Sequence, residues 1–96
     1  MRIEWLPRAR AARQASIEYI AQDNPRAALG QLAEIERQTD LLPLHPDMGR
    51  SGRKKGTREL VINRTPFILV YRVKRRTKRI EIVHFLHGAQ QWPTGR

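Results

Sequence analysis

The 96-residue sequence contains no cysteine, which excludes disulfide bonds, a thiol nucleophile and a cysteine-ligated metal. Aromatic residues are also scarce, with two Trp, two Tyr and two Phe. No apolar run approaches the roughly 20 residues of a membrane span. The amino terminus, MRIEWLPRARAAR, lacks the apolar core of a signal peptide. These absences predict a cytoplasmic protein without membrane contact, and the length predicts a single domain over residues 1–96 with one modest core.

Acidic residues are almost missing from the carboxyl half. Residues 50–96 hold thirteen Lys or Arg and two acids, Glu59 and Glu81, a net charge of +11. Residues 1–49 hold six Lys or Arg and seven acids, a net charge of −1. A positive field of this size attracts polyanions and acidic protein segments and speeds their encounter. It also destabilises the isolated chain by self-repulsion, so we expect an acidic partner.

Two cationic segments carry most of this charge. The first lies within GRSGRKKGTREL, residues 49–60, which holds five cations and three glycines. We interpret the cations of 50–58 as a functional basic surface, with a solvated loop as the alternative. For residues 74–79 we favour a solvated hairpin turn whose charge keeps a strand edge from pairing. Neither segment contains the aromatic residues that would stack on single-stranded nucleic acid.

The amino half predicts a short strand followed by a helix hairpin. The pattern RIEWL, residues 2–6, alternates as a strand, and residues 8–22 form a run without Pro or Gly. Asn24 is a good N-cap, and Pro25 suits the first turn of a second helix. An apolar stripe at spacings of 4, 3, 4 and 3 follows, formed by Ala28, Leu32, Ile35, Thr39 and Leu42. This stripe predicts that the two helices pack as an antiparallel pair.

The carboxyl half predicts three strands after a loop over 45–56. The strands cover residues 57–63, 67–73 and 79–87, and the middle one is apolar enough to be covered on both faces. Alternation places Tyr71 toward the helices and Arg72 on the other face. The element order β-α-α-β-β-β therefore predicts an α+β fold, an antiparallel sheet with a helix hairpin packed on one face.

This chain resembles the RelE/ParE toxins of bacterial type II toxin–antitoxin modules, and its ParE-like branch in particular. The resemblance covers residues 2–93 through the order and spacing of IEWLPRARAA, YIAQDNPRAA, GRSGRKKGTREL, TPFILVYRV and IEIVHFLHGAQQWP. It implies a toxin that an antitoxin neutralises by wrapping an acidic carboxyl-terminal segment around the helix hairpin and sheet. RelE-like members cut messenger RNA in the ribosome, whereas ParE-like members poison DNA gyrase.

The resemblance also locates the positions that separate these two activities. The nuclease branch carries cations on its second and third strands to stabilise a pentavalent phosphate. In this sequence those positions fall on Glu59, Val61 and Ile68, an acid and two aliphatic residues. The substitution counts against RNA cleavage. We therefore expect a gyrase inhibitor that acts by protein–protein contact, with a ribosome-dependent endoribonuclease as the alternative and a basic nucleic-acid-binding module as a further one.

For the nuclease alternative, the candidate catalytic residues are His87, Arg58, Lys54 and Lys55. The imidazole of His87 suits general acid or base work, but we favour a surface histidine whose ring packs on Trp92. The alternation of the last strand places His84 on the face opposite His87, so the two do not form a metal site. We regard His45 as incidental, and we expect neither a metal nor a cofactor.

Binding residues are predicted on two surfaces. The hetero-oligomer with an acidic antitoxin would use apolar residues on the outer side of the helix hairpin and cations of the carboxyl half. The candidates for binding the target or the antitoxin are Arg50, Arg53, Arg58, Arg72, His87, Trp92, Ile17 and Leu29. Trp92 could instead cap the apolar layer beneath the last strand.

Overall fold

The chain folds into a five-stranded sheet that carries a helix hairpin on one face. The computed structural model describes residues 1–88, so Trp92 lies outside the described residues. The elements are β1 (Arg2–Trp5), α1 (Pro7–Asp23), α2 (Pro25–Thr39), β2 (Arg50–Ser51), β3 (Arg58–Val61), β4 (Phe67–Lys74) and β5 (Arg79–His87). The predicted α+β class and element order are confirmed.

The sheet differs from the prediction in two details. Its strand order is β1-β5-β4-β3-β2, and β1 pairs parallel with β5, so the sheet is mixed rather than antiparallel throughout. Helices α1 and α2 carry the chain from β1 to the opposite edge of the sheet, where β2 and β3 begin. The antiparallel strands β3, β4 and β5 then lead back across the sheet, so β5 lies beside β1 and runs in the same direction. The second difference is β2, which pairs with β3 inside the segment predicted as a loop.

Helix α2 begins at the predicted cap but ends earlier than the apolar stripe predicts. The Asn24 side chain accepts a hydrogen bond from the Ala27 amide at 3.0 Å, which caps α2 as predicted. Helix α2 ends at Thr39, before the last residue of the predicted stripe. Leu42 nevertheless remains fully buried, because the turns after the helix fold it back onto the core.

Alternation along β4 divides the sheet into two faces. Phe67, Leu69 and Tyr71 enter the core with Ala9 of α1 and Ile35 of α2, so this is the helix face. The side chains between them, which include Ile68 and Val70, lie on the opposite face with Leu86 and Val83. A β-bulge between β4 and β5 shifts the register at Val70 and Tyr71. The face away from the helices is called the open face below.

Candidate functional site

The three residues that the resemblance aligns with nuclease cations, Glu59, Val61 and Ile68, belong to the open face. Val61 pairs with Ile68 across β3 and β4, and Glu59 pairs with Val70. Ile68 and Val70 are buried in an apolar cluster with Leu86. These aliphatic side chains offer no positive charge to a developing phosphorane.

Glu59 is buried and held by two arginines. Glu59 is only 1% exposed to solvent. Arg50 Nη2 lies 3.1 Å from Glu59 Oε1, and Arg53 donates from Nε at 3.0 Å and from its backbone amide at 2.9 Å to Oε2. Burial raises the pKa of Glu59, but the hydrogen bonds from Arg53 and Arg50 outweigh it, so the pKa is lowered and the carboxylate is charged at neutral pH. Arg50 and Arg53 therefore use some of their N–H donors to bind Glu59.

Arg58 holds the loop before β2 in place. Its Nη1 donates to the Gly49 carbonyl at 2.7 Å, and its Nε lies 3.4 Å from Asp47 Oδ1. The buried Tyr71 hydroxyl joins the same loop, since it donates to the Pro46 carbonyl at 2.7 Å and accepts from the Gly49 amide at 2.9 Å. Burial raises the pKa of Tyr71, so the hydroxyl stays protonated. The contacts of Arg58 give this residue a structural role.

Arg72 belongs to a second buried ion-pair group on the open face. Arg72 Nη2 lies 2.9 Å from Glu81 Oε1, and Arg79 Nη2 lies 2.8 Å from Glu81 Oε2. Burial raises the pKa of Glu81, but the hydrogen bond and charge of Arg72, together with the charges of Arg79 and Lys74, lower it further than burial raises it. Glu81 is therefore ionised and fixes both guanidinium groups.

One carboxylate bound by two guanidinium groups is a repeated arrangement, which we call a two-arginine clamp. Besides those at Glu59 and Glu81, Asp47 binds Arg58 and, at 2.9 Å, Arg75, and Glu34 binds Arg37 at 2.7 Å and Arg64 at 3.7 Å. The clamps at Glu59, Asp47 and Glu34 each leave a net charge of +1, whereas Arg79 of the Glu81 clamp also lies 3.6 Å from a second carboxylate, that of Glu4. The sequence alone contained no sign of this pairing, because the arginines of one clamp can lie far apart along the chain, as Arg37 and Arg64 do.

His87 does not join the other candidate catalytic residues. It pairs with Phe67, whereas Arg58 pairs with Tyr71, four residues along β4. At about 3.4 Å per residue these partners are about 14 Å apart along the strand. Lys54 and Lys55 lie in the loop that precedes Arg58, farther still from His87. The structure therefore separates the histidine of the proposed nuclease set from its cations.

The two histidines of β5 lie on opposite faces, as the alternation predicts. His87 shares the helix face with Phe67, and the two rings meet edge to face at 6.2 Å between centroids. His84 pairs with Val70 on the open face, and its Nδ1 accepts from the Phe85 amide at 2.9 Å. Burial and the charge of Arg8 lower the pKa of His84, which favours the neutral imidazole at pH 7. His45 is exposed in the turns after α2.

The outer side of the helix hairpin exposes apolar side chains. Leu29 is 69% exposed on α2. Ile17 is half-buried, packs against the core and lines a shallow groove between the helices with Leu32. The groove also has charged walls, since Arg13, Glu18 and Glu36 line it. An amphipathic helix could place its apolar side chains on Ile17, Leu29 and Leu32.

A second apolar pocket opens between the ends of the helices and the sheet. It measures about 400 Å³ and is lined by Ala15, Ser16, Tyr19, Ile20, Gln31, Pro66, Phe67 and His87. Tyr19 and Gln31 were not predicted from the sequence as site residues. Tyr19 is 72% exposed, and within residues 1–88 the buried Gln31 Oε1 accepts no hydrogen bond. Tyr19 beside Ile20 was the one local sign of this site in the sequence. The pocket itself forms only where the turn at Pro66 approaches α1, which the sequence does not reveal.

The described part of the chain has neither a membrane-spanning helix nor a cluster of metal ligands. No helix of residues 1–88 has the length and apolarity required to cross a membrane. Over the same residues, no three His, Asp or Glu side chains come close enough together to hold a metal ion. The charged groups of the described sheet are instead organised as ion pairs with arginine.

Comparison with known proteins gives a consistent result. The family model described as the ParE toxin of the type II toxin–antitoxin system parDE matches residues 3–92. The candidate toxin Y4kP of Sinorhizobium fredii is 41% identical over 92 residues, which cover 96% of this chain and 93% of that protein. A chain of the solved chromosomal ParDE TA system from P. aeruginosa superposes with a TM-score of 0.81 and 28% identity.

The structural match extends over nearly the whole fold. It covers 91% of this chain and 95% of the P. aeruginosa chain, so neither protein has a large element that the other lacks. The family match also includes both helices and all five strands. The chain therefore belongs to the ParE toxin family of type II toxin–antitoxin systems.

Proposed function

We propose that this ParE-family toxin inhibits DNA gyrase by protein–protein contact and is neutralised by a cognate antitoxin. We choose gyrase over messenger RNA as the target because of the side chains on the open face. Glu59, Val61 and Ile68 occupy the positions of the nuclease cations, and Glu59 is buried in a two-arginine clamp. The family supplies the toxin class, and the missing cations favour the non-cleaving branch.

Physical chemistry explains why this face is poorly suited to RNA cleavage. A metal-free ribonuclease needs a cation at the phosphate while a base and an acid act on the 2′ and 5′ oxygens. Glu59 instead places a negative charge at this position, which offsets the charge of one of the two arginines that bind it. Arg50 and Arg53 already bind Glu59, and His87 lies about four residues along the sheet from Arg58.

The antitoxin would dock on the outer side of the helix hairpin. Leu29 and Ile17 offer apolar contact there, and the exposed Tyr19 offers a further contact at the separate apolar pocket on the other side of α1. An antitoxin that presents an amphipathic helix to this surface and an acidic segment to the sheet would complement both the apolar and the charged parts of the toxin. The result is a hetero-oligomer in which the toxin's charge is partly neutralised.

Two parallel assays test the proposed target. Purified toxin is added to a gyrase supercoiling reaction and to ribosomes programmed with a defined message. We expect supercoiling to be inhibited while the message stays intact, and stoichiometric antitoxin to restore supercoiling. Cleaved message with undisturbed supercoiling would contradict the proposal. In that event, loss of cleavage in His87→Ala would support the nuclease alternative, with Arg58, Lys54 and Lys55 as the next residues to replace.

A further inference from the structure

Folding brings the two cationic segments of the sequence to the same end of the sheet. The loop 52–57 extends past the pairing of Ser51 with Arg58, and this pairing lies beside Tyr71 near the end of β4. The hairpin between β4 and β5, residues 74–79, closes the same end. A shallow depression of about 280 Å³ is lined by Gly56 and Thr57 of the loop and Arg75 of the hairpin, together with Asp47, Ser51, Arg58 and Val73. We call this surface, residues 52–57 with 74–79, the basic end.

Several cations of the basic end are not committed to acids. Lys54, Lys55, Lys74 and Arg76 are all exposed. Every carboxylate nearby, at Asp47, Glu59 and Glu81, binds arginines instead. Within residues 1–88 these four cations therefore have no carboxylate partner, and they can bind an external anion without breaking an existing ion pair.

The clamped arginines add fixed positive charge around this surface. Arg75 and Arg79 are held by Asp47 and Glu81, and with Lys74 and Arg76 they line a depression of about 400 Å³. Guanidinium groups held in place lose little side-chain entropy when they bind an oxyanion. A phosphate group seated there would meet several donors on one side.

We propose that the basic end binds the phosphate backbone of duplex DNA. Neither cationic segment contains an aromatic residue, so the surface lacks the platform that single-stranded nucleic acid uses for stacking. It also lacks the aromatic and large apolar anchors that dominate protein interfaces, in which lysine is depleted. Lysine-rich charge without anchors is instead typical of contact with phosphates.

The dimensions agree with a duplex. Loop 52–57 joins β2 to β3 and the 74–79 hairpin joins β4 to β5, so their midpoints lie about two strand spacings, or about 10 Å, apart. The major groove of B-DNA is about 12 Å wide, so the two loops can contact phosphates on both of its edges. This inference goes beyond the proposed function and does not rest on it, because it concerns contact between the toxin and DNA in the absence of gyrase.

The experiment compares three double variants that each remove two positive charges. Lys54→Gln/Lys55→Gln and Lys74→Gln/Arg76→Gln change the two loops of the basic end. Arg10→Gln/Arg26→Gln changes exposed helix residues and is the matched control. Binding of each protein to a labelled 20-base-pair duplex is measured by fluorescence anisotropy between 50 and 200 mM NaCl, without gyrase. Circular dichroism melting verifies that every variant is folded.

We expect each basic-end variant to weaken duplex binding by at least about tenfold at 0.1 M salt and to reduce the salt slope by about two. The control should change affinity less than about twofold. Equal weakening by all three variants, or no binding to the duplex at 50 mM salt, would overturn the proposal. Tighter binding to a single-stranded RNA or to an acidic peptide would also overturn it and would assign the basic end to that ligand.

Discussion

Arginine, rather than lysine, pairs with the carboxylates of this protein. The sequence has 19 Lys and Arg but only 9 Asp and Glu, so acids are the limiting partner. Every ion pair found within residues 1–88 involves an arginine. The planar guanidinium matches a carboxylate and is more weakly hydrated than an ammonium group, which favours it in partly buried pairs. Lysines are consequently left in solvent, where they are available to a ligand.

Glu59→Gln should destabilise the toxin at neutral pH. The amide keeps the shape of the side chain but loses the charge that binds Arg50 and Arg53, so we expect a loss of about 1–3 kcal/mol in the free energy of unfolding. Because the pKa of Glu59 is lowered in the folded state, its contribution is present above the unfolded-state pKa and disappears as the pH falls through the folded-state pKa.

Urea unfolding at pH 7 and at about pH 3 measures this effect. The difference in unfolding free energy between the parent and Glu59→Gln should shrink at the lower pH, because below its ordinary pKa the unfolded-state carboxylate takes up a proton that the folded state binds less readily. Glu36→Gln, at an exposed position of α2, is the control and should change stability by less than about 0.5 kcal/mol. A Glu59→Gln penalty of equal size at both pH values would contradict the role assigned to the clamp.

Among the elements, the helix hairpin carries the surface proposed for the antitoxin. Leu29→Asp should weaken antitoxin binding by at least about tenfold, or about 1.4 kcal/mol, because it removes apolar contact and places a negative charge opposite an acidic partner. The stability of the free toxin should change little, since Leu29 is 69% exposed.

Isothermal titration of the antitoxin into each toxin variant provides the measurement. Asn63→Asp adds the same charge at an exposed turn between β3 and β4 and is the matched control. We expect the control to bind like the parent protein. If Leu29→Asp kept the parent affinity while Asn63→Asp lost it, the antitoxin surface would have to be moved from the helices to the sheet.

Elements whose signals are local could be predicted from the sequence. The apolar run of β4 gave a central strand, and its alternation placed Tyr71 correctly in the core. Asn24 and Pro25 located the start of α2 because capping depends on neighbouring residues only. The alignment of Glu59, Val61 and Ile68 with nuclease cations needs only the resemblance and a strand register, and it stays a prediction.

Features made by distant residues could not be predicted. Strand β2 has two exposed residues, too few for any periodicity, and exists because β3 offers a paired edge. Burial of Glu59 depends on the loop that folds over it and supplies Arg53, which lies six residues away in sequence. The basic end likewise appears only when the sheet brings loop 52–57 to the 74–79 hairpin.

On the scale of the whole molecule, charge is strongly segregated. The net charge is +10, while the amino half that forms the helices is close to neutral. Positive charge is therefore concentrated on the sheet and its loops, where exposed lysines and arginines repel one another. The buried carboxylates of Glu59 and Glu81 relieve this repulsion only within their own clamps.

Added salt should consequently stabilise the free toxin. Repulsion between exposed cations is screened with a Debye length that falls from about 30 Å at 0.01 M to about 8 Å at 0.15 M, whereas the partly buried clamps are screened less. Between these salt concentrations we expect a gain on the order of 1 kcal/mol, which corresponds to about 4–8 °C in Tm for a domain of this size. Lys74→Gln/Arg76→Gln should raise Tm at 0.01 M NaCl and reduce the response to salt, because it removes two of the repelling charges. Calorimetric melting in NaCl measures both effects, and a parent Tm that falls with added salt would mean that the clamps outweigh the repulsion.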